Sequence, residues 1–126
     1  MIDFSETSAQ SLKSAVFMAE QLAAPVTVLY PYRLNQIEKI EDMSQTKKNM
    51  ELAAAEDFKK ISSEYLKDSG VVCSFKPEVG FLNDRVYAYS RRNKIGLVVM
   101  SKQLVENNKD GFLEMVDQLP APLLLV

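Results

Sequence analysis

A doubly wound α/β fold is predicted by three features of the sequence. Short apolar runs alternate with longer amphipathic stretches, the length of 126 residues suits one domain, and the composition is that of an ordinary globular protein. Hydrophobic residues make up 47% and charged residues 25%, so a disordered chain is not expected. We therefore expect residues 1–126 to form a single domain in which right-handed crossovers connect mostly parallel strands.

Four helices are predicted from apolar residues that recur every three or four positions. The first spans 8–23 and can be capped by Ser5 or Thr7, and the long second spans 43–67 after a polar connection from 33 to 42. Two short helices follow. The first is expected to be capped by Asn83 or Asp84 and to end at about Arg92, and the second to be capped by Asp110 and to end at about Gln118.

Five strands are predicted, and one of them is almost absent. The four clear strands are short β-branched, aromatic or continuously apolar runs at 26–30, 71–75, 95–100 and 123–126. Pro31 is expected to end the run at 26–30, because proline has no backbone N–H to donate. Only two residues precede Asp3, so the first strand, which is usually central in this architecture, is very short or truncated.

The residue types present exclude most catalytic chemistry. The chain has no histidine, which removes Ser-His-Asp and Cys-His catalysis and histidine metal sites. The single cysteine, Cys73, excludes an intrachain disulfide and a CxxC site, and we expect it to fill space in a strand rather than to sense redox state. We predict no enzymatic activity and no metal.

Charge and hydropathy exclude two classes of partner. The net charge of −2 and the pI of about 5.2 give no general attraction to nucleic acid, and the basic residues Arg91, Arg92 and Lys94 are expected to be the solvated end of the third helix. No apolar run approaches the ~20 residues of a membrane span. The first residues lack the features of a secretory signal, so a cytoplasmic location is expected.

A series of short motifs, in order along the chain, resembles the universal stress protein family. The opening resembles that family's strand end, first helix and second strand. Gly96 takes the place of the usual aspartate in the segment that resembles the fourth strand. The matching segments are Asp3–Ser8, Ala24–Tyr30, Val79–Gly80 with Val86, Gly96–Met100 and Pro122–Val126.

The resemblance implies a five-stranded sheet of order 3-2-1-4-5 with helices on both faces, and a homodimer formed through the last strand. The residues support such a dimer independently. Leu123, Leu124, Leu125 and Val126 would form an uncharged apolar edge strand, and such an edge aggregates unless something pairs with it. An antiparallel second copy is the simplest cover. A tandem domain or another protein is the alternative partner.

Many members of that family bind ATP or AMP through a Gly-x2-Gly-x9-Gly-Ser/Thr pattern after the fourth strand. Here Ser101 and Leu104 stand where the first two glycines belong, and Pro31 falls where a backbone donor would hold the adenine. If a nucleotide did bind, the resemblance and the loop sequence give these pocket residues: Asp3, Gly80, Met100, Ser101, Lys102 and Gly111.

The sequence therefore favours a non-catalytic regulatory or association domain of the universal stress type, dimeric and without a cofactor. In this interpretation Asp3 holds the start of the first helix by hydrogen bonds instead of contacting a base. The alternative is an ATP- or AMP-sensing protein with a divergent phosphate loop.

Overall fold

The structure is a computed structural model that describes residues 1–34 and 40–126; the polar connection expected from 33 to 42 falls partly outside these residues. In the described residues helices and strands alternate, apart from two short helices in succession near the end. The elements are α1 (Glu6–Leu22), β1 (Val26–Tyr32), α2 (Ile40–Tyr65), β2 (Cys73–Val79), α3 (Leu82–Arg92), β3 (Val98–Met100), α4 (Lys102–Glu106), α5 (Phe112–Gln118) and β4 (Leu123–Leu125).

Helices cover both faces of the strands, as predicted. On one face α1 and α2 bury the side chain of Val28 in a cluster with Leu12 and Val16. On the other face α3, α4 and α5 pack around Leu29 and Met100. Neighbouring residues of β1 thus point into opposite cores, which is why these strands are apolar at successive positions.

The strands form two parallel pairs. β1 pairs with β2 in a register that starts at Val26 and Cys73, and β3 pairs with β4 from Val98 and Leu123. The expected five-stranded sheet is not confirmed: the described residues contain four strands in two sheets.

Residues 1 and 2 lie between the two pairs. The Ile2 N–H donates to the Leu29 carbonyl and the Met1 nitrogen to the Val99 carbonyl, each at 3.1 Å. Met1 and Ile2 thus form one hydrogen bond to each strand pair, which is too few for them to be assigned as a strand. The two pairs are therefore joined by this short bridge and by the helices.

Pro31 was expected to end the first of these strands, and the strand predicted at 71–75 stopped before Pro77; both expectations were wrong. β1 continues through Pro31 to Tyr32, and β2 contains Pro77. In β1 the residues Val26 and Tyr32 bond to β2. Because bonding direction alternates along a strand, the nitrogens of both prolines point away from the ladder and no hydrogen bond is lost.

The predicted N-termini of the helices differ more from the structure than the predicted central turns do. Ser5 caps α1, as expected, by accepting a bond from the Ser8 N–H. The caps proposed at Asn83 or Asp84 and at Asp110 were wrong, because α3 begins after Phe81 and α5 after Gly111. α1 begins and ends earlier than 8–23, and α2 earlier than 43–67. β2 begins and ends later than 71–75, β3 is shorter than 95–100, and β4 ends one residue before 126. The short helix α4 was not predicted.

Candidate functional site

The main polar cleft lies at the carboxyl ends of β1 and β2, next to Asp3. It has a volume of about 830 Å³ and is lined by the turn from β2 into α3, by α5 and by the loop 106–111. Ligands of open α/β proteins bind at the carboxyl ends of the strands, where neighbouring crossovers leave in opposite directions. This cleft is therefore the candidate functional site.

Asp3 lies at the cleft, and its carboxylate is engaged by the start of α1. The Oδ1 atom accepts bonds from the Ser5 N–H at 3.0 Å, the Ser5 hydroxyl at 2.5 Å and the Ser8 hydroxyl at 2.6 Å. Partial burial acts to raise the pKa of Asp3, but the hydrogen bonds from Ser5 and Ser8 outweigh it and hold the pKa below its usual value. Asp3 is thus an ionised, locally bonded group.

Gly80 forms the turn between β2 and α3. Its φ of +139° is one that side-chain-bearing residues rarely adopt, and a Cβ there would lie 2.8 Å from Arg85 Nε. The turn brings Phe81 to the cleft, where the Arg33 guanidinium lies 5.0 Å from the centre of its ring. Gly80 therefore serves both as a lining residue and as a backbone hinge that places α3.

Gly111 lies in the cleft wall as the N-cap of α5, at a φ of +75°. The loop before it is closed by Asn83, whose side-chain amide donates to the Asn108 carbonyl at 3.2 Å and to the Asp110 carbonyl at 2.6 Å. The loop thus directs carbonyl oxygens, not N–H groups, toward Asn83. A phosphate site needs the opposite arrangement, because phosphate oxygens accept hydrogen bonds.

The charge of the cleft wall also opposes an anion. The residues that line the cleft include five acidic and two basic side chains, and Lys109 forms an ion pair with Glu106 at 2.9 Å. The acidic lining residues are Asp3, Asp84, Glu106, Asp110 and Glu114, and the basic ones are Arg33 and Lys109. A polyphosphate placed here would meet a net negative wall.

The other three predicted pocket residues lie away from the cleft wall. Met100 is completely buried in the core. Ser101, also buried, caps α4 by accepting a bond from the Leu104 N–H at 3.0 Å, and Lys102 is exposed, its N–H donating to the Val126 carbonyl. The structure brings Asp3, Gly80 and Gly111 together, and does not bring Met100, Ser101 and Lys102 to them.

Two residues of the cleft were not predicted from the sequence to belong to it. Asn83 was considered only as a helix cap, although an amide in the first turn after a strand can reach the neighbouring loop. Tyr32 was missed because β1 was expected to end before it; its hydroxyl donates to Glu51 at 2.6 Å. Burial, together with the bond to Glu51, raises the pKa of Tyr32, so this hydroxyl stays protonated at neutral pH.

Residues outside the cleft lie as follows. Cys73 is half-buried, and burial raises the pKa of its thiol. Arg91, Arg92 and Lys94 are exposed. In β4, Leu124 and Leu125 are each 37% exposed. Among residues 1–34 and 40–126 no three potential metal ligands lie together. None of the helices in those residues is both long and apolar enough to cross a membrane.

Comparison with known proteins supports the fold. No protein-family model matches the sequence, and no curated protein matches it. Solved structures do match. The universal stress protein UspA from Lactobacillus plantarum aligns with a TM-score of 0.78 at 15% identity, over 99% of this chain and 92% of that one.

Two further structures agree. A member of the universal stress protein family from Burkholderia pseudomallei aligns at a TM-score of 0.72 and 15% identity, over 99% of this chain and 90% of that one. A universal stress protein in complex with cAMP aligns at 0.64 and 16% identity, over 99% and 92%. The chain therefore has the universal stress protein fold, and the resemblance found in its motifs is confirmed at the level of the fold.

Proposed function

We propose that this chain is a non-catalytic regulatory or association domain of the universal stress type, which forms a homodimer and binds no adenine nucleotide. The observation that carries the proposal is the bond pair from Asn83 to the Asn108 and Asp110 carbonyls. These bonds hold two loop carbonyls against the amide of Asn83, a residue of the cleft wall, where a phosphate would need donors.

Three further features of the cleft support the absence of nucleotide. Its wall is mainly acidic, the Asp3 carboxylate is already bonded to Ser5 and Ser8, and Pro31 has no N–H for an adenine ring. A nucleotide in this cleft would have to overcome the negative field of the wall. Few cations are available to compensate: Lys102 lies off the wall, Lys109 is paired with Glu106, and the Arg33 guanidinium lies over the Phe81 ring.

The residue types and contacts of the cleft argue against enzymatic activity. The sequence has no histidine to act as a general base near neutral pH. The Tyr32 hydroxyl is held by Glu51, and no strongly activated nucleophile faces the cleft in the described part of the chain. We place the protein in the cytoplasm, where a lone unpaired cysteine such as Cys73 stays reduced.

The homodimer is proposed from the two outer edges of the strands. Pro77 lies at the outer edge of β2, where its missing N–H discourages pairing. The outer edge of β4 carries only Leu123 and Leu125, whose backbone groups point away from β3. An antiparallel copy across β4 would satisfy these groups and cover the exposed leucines.

The alternative, an ATP- or AMP-sensing protein, is favoured by one observation. The cleft has room for a nucleotide and lies where α/β proteins bind ligands, and one structure of the same fold is described in complex with cAMP. Under this alternative the Asn83 bonds would open when ligand binds.

Native mass spectrometry distinguishes the two functions. The protein is purified without added nucleotide and measured alone, then with ATP and Mg²⁺ and with AMP. We expect a dimer whose mass is unchanged by either ligand. One nucleotide per chain, whether copurified or added, would overturn the proposal and establish the sensing function.

A further inference from the structure

One face of β2 is open to solvent in the described part of the chain. α2 packs on the face of β2 that carries Phe75, and α3 packs on the neighbouring strand, β1. Side chains alternate along a strand, so Ser74 and Lys76 lie on the other face of β2, and both are exposed. This face therefore forms a surface strip beside α3.

Tyr89 connects α3 to this strip. Its hydroxyl donates to the Thr27 Oγ1 atom at 3.1 Å, and that atom lies 3.4 Å from the Ser74 hydroxyl. The Lys76 ammonium lies 6.0 Å from the centre of the Tyr89 ring. β2 thus provides the floor of the strip, and α3 provides one wall.

Two arginines of α3 lie on the same side of the helix as Tyr89. Arg85 is four residues before it and Arg92 three residues after it, the spacings that place side chains on one helix face. The Arg85 side chain lies against the end of β2, because a Cβ at Gly80 would be 2.8 Å from its Nε atom. That Nε atom is buried and has no hydrogen-bond partner among the described residues. We call the following set the basic face: Ser74, Lys76, Arg85, Tyr89 and Arg92.

The charge of this set is mainly positive. Lys76, Arg85 and Arg92 form no ion pair with the described residues. Glu78, which is half-buried, is the acidic side chain on the same face of β2. The two arginines are seven residues apart on α3, which corresponds to about 10 Å. A single small anion cannot contact all three cations at once, whereas an extended chain can.

The surroundings of the basic face favour a protein chain over a nucleic acid. The net charge of the protein is −2, and the polar cleft, with five carboxylates in its wall, begins at Gly80, where the basic face ends. The phosphates of a nucleic acid would continue into that negative wall and be repelled. A protein segment can place acidic side chains at alternate positions, about 7 Å apart, and carry no charge beyond them.

We propose that the basic face binds an extended segment of a partner protein that carries acidic side chains at alternate positions. Lys76, Arg85 and Arg92 pair with its carboxylates, and the Ser74 hydroxyl adds a hydrogen-bond donor. Several ion pairs must act together, because one exposed pair contributes little by itself. The basic face includes neither β4 nor a residue of the cleft wall, so the proposal holds whether or not the chain dimerises or binds a nucleotide.

The test is a titration of chain 1–126 with the capped peptide acetyl-Glu-Ser-Glu-Ser-Glu-amide, followed by NMR at low and at physiological salt. We expect saturable shifts of the Ser74, Lys76 and Arg92 amide signals, and an affinity that falls as the salt concentration rises. The peptide acetyl-Lys-Ser-Lys-Ser-Lys-amide should not shift these signals. Absence of a saturable shift with the acidic peptide at millimolar concentration would overturn the proposal.

Two double variants with the same change in net charge locate the site. Lys76→Glu with Arg92→Glu should weaken binding of the acidic peptide by about tenfold or more, because like charges then face each other. Lys13→Glu with Lys102→Glu replaces exposed lysines outside the basic face and should weaken it far less. Equal weakening by both would mean that the peptide responds only to overall charge, which contradicts the proposed location.

A nucleic acid probe tests the choice of partner. Single-stranded oligothymidylate, titrated under the same conditions, should bind more weakly than the acidic peptide, because its phosphates meet the negative wall of the cleft. Tighter binding of the oligothymidylate would overturn the assignment of a protein segment to this face.

Discussion

Asp3 shows how one side chain can carry either a functional or a structural role. In the motif comparison it stands where an aspartate contacts a base, yet in the structure its Oδ1 collects three bonds from Ser5 and Ser8. Ser5 is also the N-cap of α1, so Asp3 stabilises a cap as well as the chain before it. The carboxylate is therefore expected to contribute to folding.

Replacing Asp3 by alanine should lower the free energy of unfolding by about 1 to 2 kcal/mol at neutral pH, because the three bonds to Oδ1 are lost. Urea denaturation of both proteins measures this difference. Asp68→Ala, at an exposed position in the turn between α2 and β2, serves as the control and should change stability little.

The difference between the two proteins should also depend on pH. The pKa of Asp3 is lower in the folded state than its usual 3.8, so the folded state favours the ionised form. The contribution of Asp3 is therefore fully present above pH 3.8 and is lost as the pH falls below it. Urea midpoints should converge as the pH falls through the lowered folded-state pKa of Asp3, below 3.8. A constant difference across the acid range would show that the charge of Asp3 does not matter.

At the scale of elements, the junction between β2 and α3 depends on Gly80. The chain reverses there at a φ of +139°, and the Gly80 N–H donates to the Tyr32 carbonyl at 2.8 Å. This bond continues the β1–β2 ladder by one residue into the turn. The position of α3, and with it Asn83 over the loop, follows from this conformation.

Gly80→Ala should destabilise the fold by about 1 to 3 kcal/mol, because alanine is strained at this φ and its Cβ would lie 2.8 Å from Arg85 Nε. Gly96→Ala is the matched control: a Cβ there meets open space, so its effect should stay within about 0.5 kcal/mol. Thermal denaturation compares the two. Equal effects would show that the turn adapts to a side chain.

How far the sequence predicts an element depends on how local its cause is. The apolar stripes of α1 and α2 were sufficient to predict those helices, because periodicity is carried by the element itself. The extent of β1 was not predictable, since Pro31 is tolerated only because its nitrogen points away from β2. α4 has five residues, too few to show a period.

The candidate site follows the same rule. Asp3, Gly80 and Gly111 were named from the family resemblance and the loop sequence, and all three line the cleft. The role of Asn83 could not be predicted in this way, since it depends on contacts with Asn108 and Asp110, some 25 residues away in sequence. Side-chain to main-chain bonds between distant segments leave no signal in the spacing of residues.

At the scale of the whole molecule, the two strand pairs pack into two hydrophobic cores, but few backbone hydrogen bonds join one pair to the other. The bridge of Met1 and Ile2 contributes one bond to each pair, so packing of α1 and α3 against the strands must hold them together. The molecule then has one protected outer edge, at Pro77, and one open edge, at β4. Assembly through β4 would leave the polar cleft accessible.

Leu125→Lys should convert the proposed dimer to a monomer. A lysine on the edge strand would place a charge on the apolar strand that the proposed dimer covers, and charged side chains are a common means of preventing edge pairing. We expect the dissociation constant to rise by more than about tenfold and the mass from light scattering to fall to 14.2 kDa. Leu113→Lys, on α5 at a position 76% exposed, adds the same charge elsewhere and should leave the dimer intact. If Leu125→Lys leaves the mass unchanged while the native protein is dimeric, the copies must meet on a surface other than β4.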